Sequence, residues 1–180
     1  KKTKGIYMKK TFKETGISDK LISALKKQGI TEPTEVQQNA VPVILSGKNA
    51  IVRAETGSGK TLAYLLPVFM KTDTALRSAQ TIILTPTHEL AVQVYRQACL
   101  LAENSGLDVR SALVIGDAGL ARQLEKLKEK PQIIVGSAGR IYDLIGKRKI
   151  PAHTVKTIVV DEADRMLDKM NADMVRAIVK

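Results

Sequence analysis

Five short apolar runs, each rich in β-branched residues, alternate along this chain with stretches of helical spacing. The runs are NAIVRA, TIILT, VRSALVI, QIIVG and KTIVVD, at 49–54, 81–85, 109–115, 132–136 and 156–161. Runs of this kind suit strands buried on both faces of a parallel sheet. Because parallel neighbours need helix-sized crossovers, the pattern predicts an α/β fold, a parallel sheet with helices on both faces.

Helical spacing recurs in six stretches, two of them before the first predicted strand. We expect helices over 18–28, 34–45, 60–71, 88–104, 120–130 and 139–147. The chain has no internal repeat and no linker rich in Gly or Pro. We therefore expect one domain over 12–180, after a basic N-terminal extension over 1–11 that can derive in part from cloning.

The segment AETGSGKT, residues 54–61, joins the first predicted strand to a predicted helix. It matches the phosphate-binding loop pattern G-x-x-x-x-G-K-[ST], except that Ala54 replaces the first glycine. Gly57 and Gly59 let the backbone curl so that its N–H groups face an anion, and the helix N-terminus adds positive charge. The alternative interpretation is a flexible glycine-serine turn without a ligand.

The two residues that end this segment carry the chemistry of a nucleotide site. Lys60 would reach the β- and γ-phosphates, and Thr61 would place its hydroxyl on Mg²⁺. The residues that we expect to bind nucleotide in this loop are Ala54, Glu55, Thr56, Gly57, Ser58, Gly59, Lys60 and Thr61.

An acidic pair follows the last predicted strand, in TIVVDEAD. Asp161 can hold the Mg²⁺, directly or through water, and Glu162 can polarise the attacking water as a general base. We therefore expect Lys60, Asp161 and Glu162 to be catalytic, with Thr61 and Asp161 on the metal. The alternative is an acidic helix start, where the helix dipole favours carboxylates.

AETGSGKT together with DEAD at 161–164 resembles the N-terminal RecA-like domain of a DEAD-box RNA helicase. The resemblance runs from Phe12 to Leu167, and the family's phosphate loop often starts with alanine, like Ala54. It implies an ATPase that couples ATP binding and hydrolysis to RNA duplex unwinding or remodelling. ATP and Mg²⁺ are the implied cofactors, and RNA is the implied partner.

The segment GITEPTEVQ, residues 29–37, is similar to the family's Q motif. The resemblance implies that Gln37 reads the adenine edge and that Phe12 is the family's isolated upstream aromatic. Ile30 stands where family members commonly place an aromatic against the base, so stacking would become apolar contact. Thr34 and Gln37 also have the spacing of a capping box, and both roles can hold together.

Three further segments, PTHEL, IGDAG and GSAGR, resemble the family's RNA-contact motifs. The residues that the resemblance places on RNA are Pro86, Thr87, His88, Gly116, Ser137, Gly139 and Arg140. The segments depart from the family pattern: His88 replaces arginine, Ser137 and Ala138 replace Thr-Pro, and Asp117 replaces a glycine. We expect a conventional nucleotide site beside a weaker or altered RNA face, the alternative being neutral variation at tolerant positions.

Charge and composition are consistent with this resemblance. The chain has 29 Lys and Arg against 18 Asp and Glu, a net charge of +11. The surplus favours a polyanionic partner, although ordinary basic solubility is the alternative. Cys99 is the only cysteine, which excludes a disulfide framework within the chain. The single cysteine also fits a reducing compartment, so we expect a cytoplasmic protein. No stretch approaches the roughly 18 apolar residues of a membrane span, so we expect no membrane partner.

The resemblance also implies parts that these 180 residues lack. The family's Ser-Ala-Thr element and its second RecA-like domain, which supplies arginine fingers, would follow Lys180. We therefore expect a monomeric piece of a longer chain that binds nucleotide but is nearly inactive alone. The alternative function is a nucleotide-dependent RNA-binding or assembly module. DNA helicases and transport ATPases share the phosphate loop, but few combine it with the glutamine element and DEAD.

Overall fold

The computed structural model describes residues 10–116, 119–168 and 171–180 of the chain. Most of the expected N-terminal extension, residues 1–9, and Asp117 lie outside the described residues. The chain divides into two compact units, Lys1–Lys71 and Thr72–Lys180. The domain boundaries expected from the sequence, with one domain over 12–180, stay a prediction.

The described part of the first unit is helical. Its helices are α1 (Asp19–Lys27), α2 (Glu35–Leu45) and α3 (Lys60–Lys71). In α1 the buried side chains Leu21 and Leu25 recur at helical spacing, which explains why this stretch folds against its neighbours. Helix α2 packs against α3. All three helices lie where the apolar periodicity predicts them.

The segment between α2 and α3 differs from the prediction of a strand over 49–54. The structure has irregular backbone there, and these residues join no strand ladder among the described residues. Ile51 is fully exposed and Val52 is 37 % exposed. A β-branched run is stable as a strand only when a neighbouring strand satisfies its backbone groups and covers its side chains. The strand prediction for this run is therefore wrong.

The second unit contains a four-stranded parallel sheet. Its strands are β1 (Thr81–Leu84), β2 (Ser111–Val114), β3 (Ile133–Gly136) and β4 (Thr157–Val160), in the order β2-β3-β1-β4. The last residues of the strands are in register, since Leu84 pairs with Gly136 and Val160, and Val114 pairs with Gly136. The four carboxyl ends therefore form one straight edge, which we call the carboxyl edge.

Helices connect successive strands, as a parallel sheet requires. The crossovers are α4 (His88–Ser105), α5 (Leu120–Lys128) and α6 (Ala138–Gly146), and a short 3₁₀ turn, Ala152–Thr154, precedes β4. Two helices follow β4, α7 (Ala163–Met166) and α8 (Ala172–Val179). The predicted α/β architecture is confirmed.

The core of the second unit lies on both faces of this sheet. Ile82 and Leu84 belong to a buried cluster with side chains of α6 and α8 on one face. Because side chains alternate along a strand, Ile83 points to the opposite face, where α4 contacts β2 and β3. None of the helices in the described ranges has the length and apolar character that a membrane crossing requires.

Candidate functional site

The predicted phosphate loop is a tight turn that leads directly into α3. Gly57 and Gly59 have φ angles of 83° and 93°, a conformation that residues with a Cβ rarely adopt. The Ser58 hydroxyl donates to the Glu55 carbonyl oxygen over 2.6 Å, which closes the turn. Helix α3 begins at Lys60, so the positive end of its dipole lies at the loop.

Lys60 folds back over this loop. Its Nζ donates to the carbonyl oxygens of Ala54 and Glu55, at 2.5 and 2.6 Å. An ammonium group has three donors, so two carbonyl contacts leave capacity for one more acceptor. The arrangement places a positive charge inside the curl of the loop, where an anion would lie. Thr61 follows in the first turn of α3 and is partly exposed.

Gln37 connects the start of α2 to the phosphate loop. Its Oε1 accepts from the Thr34 backbone N–H at 3.0 Å, and its Nε2 donates to the Gly59 carbonyl oxygen at 3.1 Å. Thr34 and Gln37 form the predicted capping box. A Cβ at position 59 would lie 2.5 Å from the Gln37 Nε2 and 3.1 Å from the Thr34 Oγ1. Only glycine fits at position 59 while Gln37 keeps this place.

The glutamine amide retains hydrogen-bonding capacity beside these two bonds. An amide oxygen has two acceptor sites and an amide nitrogen has two N–H donors, so Gln37 retains one of each. Phe12, the other residue assigned to the adenine, is 2 % exposed, and its carbonyl oxygen accepts from the Thr15 hydroxyl. Ile30 is partly exposed at the start of the segment that leads to α2.

The remaining predicted site residues lie in the second unit, where the parallel strands end. The residue after each of three strands still bonds to its neighbour, because the backbone N–H groups of Thr85, Ser137 and Asp161 donate to strand carbonyl oxygens. Their acceptors are Gly136, Val114 and Leu84, at 3.0, 3.3 and 2.9 Å. The sheet ladder therefore fixes the chain where the motifs after β1, β3 and β4 begin.

Asp161 and Glu162 follow β4, at one end of the strand order. Asp161 is buried, and its Oδ1 accepts from the Glu162 backbone N–H at 2.9 Å. Glu162 has φ 47° and ψ 55°, an uncommon conformation for a residue with a side chain. Its carboxylate pairs with Arg165 at 3.0 Å. Uncommon backbone angles concentrate at functional sites, which makes Glu162 a stronger candidate for a chemical role than Asp161.

PTHEL and IGDAG come together at the carboxyl edge. Thr87 caps α4, since its Oγ1 accepts from the Leu90 backbone N–H at 3.2 Å. The pKa of Glu89 is lowered by its own backbone N–H and by the Thr87 hydroxyl, which favour the carboxylate form. The His88 ring lies 3.7 Å from the place where a Cβ on Gly116 would be. Pro86 is partly exposed beside them.

GSAGR begins at the end of β3 and opens α6. Ser137 is the residue before this helix, and Gly139 lies in its first turn, where a Cβ would lie 3.5 Å from the Met174 sulfur. Arg140 forms an ion pair with Asp143 at 3.7 Å, and its Nε is buried without a hydrogen-bond partner in the described structure. The predicted RNA-contact residues thus follow β1, β2 and β3, the three adjacent strands of the sheet.

Two residues at this edge were missed by the sequence analysis. Gly136 has no room for a side chain, because a Cβ there would overlap the Val114 carbonyl oxygen of the neighbouring strand. A glycine that ends a predicted strand is a signal of such close approach. Gln123, in α5, donates to the Ile115 carbonyl oxygen at 2.8 Å while 4 % exposed. No local sequence pattern indicates the contact that Gln123 makes.

A comparison with protein families covers residues of both units. The DEAD/DEAH box helicase model matches residues 34–180. The chain belongs to this family. The matched range contains the 54–61 loop of the first unit and Asp161 and Glu162 of the second unit.

Curated relatives of this DEAD/DEAH box chain are bacterial RNA helicases. It is 40% identical over 169 residues to ATP-dependent RNA helicase CshA of Limosilactobacillus reuteri, covering 94% of this chain and 34% of that protein. It is 41% identical over 160 residues to DEAD-box ATP-dependent RNA helicase CshC of Bacillus cereus, covering 89% of this chain and 41% of that protein. The chain therefore spans about two fifths or less of the length of these relatives.

Solved structures of the family have the same fold. A DEAD box protein from the hyperthermophile Methanococcus jannaschii superposes with a TM-score of 0.86 and 32% identity, over 94% of this chain and 46% of that chain. A Saccharomyces cerevisiae Dbp5 variant bound to RNA and ADP BeF3 superposes with a TM-score of 0.81 and 27% identity, over 94% of this chain and 43% of that chain. The RecA-like fold class predicted from the sequence is confirmed.

Within the described residues, no group of three or more His, Cys, Asp or Glu side chains is placed to hold a metal ion. A magnesium ion bound with a nucleotide takes only one or two carboxylates and completes its shell with phosphates and waters. The metal roles of Thr61 and Asp161 therefore stay predictions.

Proposed function

We propose that this chain is the ATP-binding part of an ATP-dependent RNA helicase, which couples ATP binding and hydrolysis to unwinding or remodelling of RNA duplexes. The observation that carries the proposal is the bond from the Gln37 amide to the Gly59 carbonyl oxygen, which joins an adenine-reading candidate to the phosphate loop. Family membership and the names of the relatives support it.

The phosphate end of the nucleotide belongs to the loop at 54–61. The left-handed glycines, the start of α3 and the Lys60 ammonium are features that favour a phosphate group. Lys60 would exchange its contacts with the Ala54 and Glu55 carbonyl oxygens for phosphate oxygens. A charge-assisted bond to a phosphate is stronger than one to a neutral carbonyl, so nucleotide binding would favour that exchange.

We assign recognition of the nucleotide base to Gln37. Its remaining donor and acceptor match the ring nitrogen and the exocyclic amino group on one edge of adenine. Guanine presents an oxygen in place of that amino group, so it would face the amide with two acceptors. Phe12 and Ile30 supply the apolar surroundings that the resemblance implies. We therefore propose ATP and ADP, rather than guanine nucleotides, as ligands.

The catalytic proposals concern Mg²⁺ and water. Mg²⁺ would supply charge neutralisation at the phosphates, with Thr61 and Asp161 as its protein ligands. Lys60 would stabilise phosphate charge. Glu162 would accept a proton from water, and its carboxylate lies 3.0 Å from the Arg165 guanidinium.

The RNA proposal rests on the carboxyl edge. Thr87 follows β1, and Ser137 and Arg140 follow the neighbouring strand β3, so hydroxyl and guanidinium donors lie after two adjacent strands. The chain also carries a net charge of +11. Donors of this kind bind the sugar-phosphate backbone without reading sequence. A second RecA-like domain, elsewhere in a full-length chain, would cover the other side of the RNA. The extra length of the relatives supports this partner, and the single cysteine fits a cytoplasmic location.

Calorimetry with ADP tests the nucleotide site directly. We expect Lys60→Ala to lower ADP affinity by about tenfold or more, because it removes the only loop ammonium near the phosphates. Lys71→Ala, at the exposed far end of the same helix, is the matched control and should leave affinity unchanged. Equal affinities for all three proteins would overturn the assignment of the loop.

A further inference from the structure

Three glutamine side chains in the second unit are buried, which is unusual for a polar residue. They are Gln80, Gln123 and Gln132, with exposures of 4, 4 and 0 %. Burial of an amide is costly unless its polar atoms find partners, so each of these side chains marks a place where backbone groups need one. The three differ in the edge of the sheet at which they bond to backbone groups.

Gln80 and Gln132 serve the edge opposite to the carboxyl edge. Gln80 precedes β1, and its Nε2 donates to the Asp73 carbonyl oxygen at 2.8 Å. Gln132 precedes β3, and its Oε1 accepts from the Arg110 backbone N–H at 2.9 Å. Both side chains hold the chain as it enters the sheet, on the side away from the predicted RNA contacts.

Gln123 serves the carboxyl edge. Its Nε2 donates to the carbonyl oxygen of Ile115, the residue that follows β2, at 2.8 Å. Its own backbone N–H donates to the Gly119 carbonyl oxygen at 3.3 Å. The bond to Gly119 is an ordinary first-turn helix bond, so the side-chain bond to Ile115 is the contact that links α5 to the end of β2. Because Gln123 lies in the first turns of α5, its side chain anchors Ile115 to this helix.

The residue next to Ile115 is a candidate RNA contact. Gly116 follows Ile115 directly, and its Cα faces the His88 ring across the carboxyl edge. Moving Ile115 would shift Gly116 relative to His88, and a shift of one contact by about 1 Å is enough to weaken a site built from several donors.

We propose that Gln123 is a positioning residue for RNA, which holds Ile115 and thereby Gly116 in the place where Gly116 contacts the RNA backbone. This inference rests on the proposed RNA binding at the carboxyl edge. Gln123 itself acts through the Ile115 carbonyl oxygen and touches no RNA. The ligand class is single-stranded RNA, recognised through its phosphates and sugars.

The test compares Gln123→Leu with Gln132→Leu in the 180-residue chain. Both substitutions remove a buried amide of equal size from the same unit, so both should lower the melting temperature. Binding of a fluorescein-labelled oligouridylate is measured by fluorescence anisotropy at low ionic strength. We expect Gln123→Leu to raise the RNA dissociation constant about three- to tenfold and Gln132→Leu to change it less than about twofold. ADP affinity should be unchanged in both.

Two further variants separate positioning from folding. Gln123→Met keeps the length of the side chain without a donor and should weaken RNA binding as Gln123→Leu does. Gln123→His places an N–H at a similar reach and should restore it in part. If RNA affinity falls equally in the Gln123 and Gln132 variants, or in neither, Gln123 does not position the RNA contacts.

Amide hydrogen exchange at Ile115 and Gly116 distinguishes failure of this inference from failure of the proposed function. Faster exchange in Gln123→Leu than in Gln132→Leu supports the anchoring role. Equal exchange in the two variants overturns it, whatever the RNA result. If the unsubstituted chain binds no oligouridylate at low salt, the RNA part of the proposed function is wrong, and the RNA role of Gln123 is wrong with it.

Discussion

Gln37 and Gly59 are joined across 22 positions of sequence by a 3.1 Å hydrogen bond, from the side-chain amide of one to the carbonyl oxygen of the other. The same amide lies where a Cβ on Gly59 would have to be. The phosphate loop and the start of α2 therefore hold each other in place. A substitution at either residue should change nucleotide binding through the other.

Gly59→Ala should disrupt this pairing. The left-handed backbone alone costs about 1–2 kcal/mol with a Cβ present, and the methyl group would also displace the Gln37 amide. Gly57→Ala is the matched control, because Gly57 has a similar φ but nothing within 4 Å of its Cβ position. Calorimetry should show at least about tenfold lower ADP affinity for Gly59→Ala than for Gly57→Ala. Equal losses would mean that the Gln37 contact does not matter for binding.

The Gln37→Glu substitution tests whether Gln37 recognises adenine. The carboxylate can still accept from the Thr34 backbone N–H, but it cannot donate to Gly59 or to adenine. We expect the preference for ADP over GDP to disappear and ADP affinity to fall about tenfold. Gln38→Glu, at the next position, is the control and should keep the preference. A preserved preference in Gln37→Glu would exclude Gln37 as the base reader.

Gly136→Ala tests the carboxyl edge by stability. A methyl group at this position would meet the Val114 carbonyl oxygen of β2, so β2 and β3 would have to separate. We expect a loss of about 3 kcal/mol in the free energy of unfolding, measured by urea denaturation. Gly146→Ala, at the end of α6 with open space around it, should be neutral or stabilising. Similar stabilities for the two variants would contradict the close approach.

Position 88 tests the altered RNA face. His88→Arg would add a permanent charge beside Gly116 at the carboxyl edge, so oligouridylate binding should tighten. The slope of log affinity against log salt should steepen by about 0.7 for one added phosphate contact. His153→Arg, in the exposed 3₁₀ turn, adds the same charge away from this edge and is the control. Unchanged affinity and slope in His88→Arg would remove position 88 from the RNA face.

The helices and strands that depend on local sequence patterns could be predicted from the sequence. Helix α3 lies at 60–71 as predicted, because a glycine turn fixes its start and its apolar positions recur at helical spacing. The four strands after residue 80 were also predicted, because each β-branched run finds parallel partners. The run at 49–54 has the same composition but no partner strand in the described structure, and composition alone does not reveal this.

The contacts within the site could be predicted only in part. The capping box of Thr34 and Gln37 is local, and its spacing revealed it. The bond from Gln37 to Gly59 and the bond from Gln123 to Ile115 depend on tertiary packing, which leaves no periodic signal in the sequence. The crowding at Gly136 depends on strand order, which the sequence pattern did not specify.

RNA-stimulated ATP hydrolysis by the full-length protein tests the central claim most directly. We predict that single-stranded RNA raises steady-state ATP turnover and that Glu162→Gln abolishes the turnover while sparing ATP binding, because an amide cannot accept the proton of water. Asp173→Asn, at an exposed position in α8 outside the motifs, is the charge-matched control and should retain the RNA stimulation. ATP turnover that does not respond to RNA, or that persists in Glu162→Gln, would contradict the account.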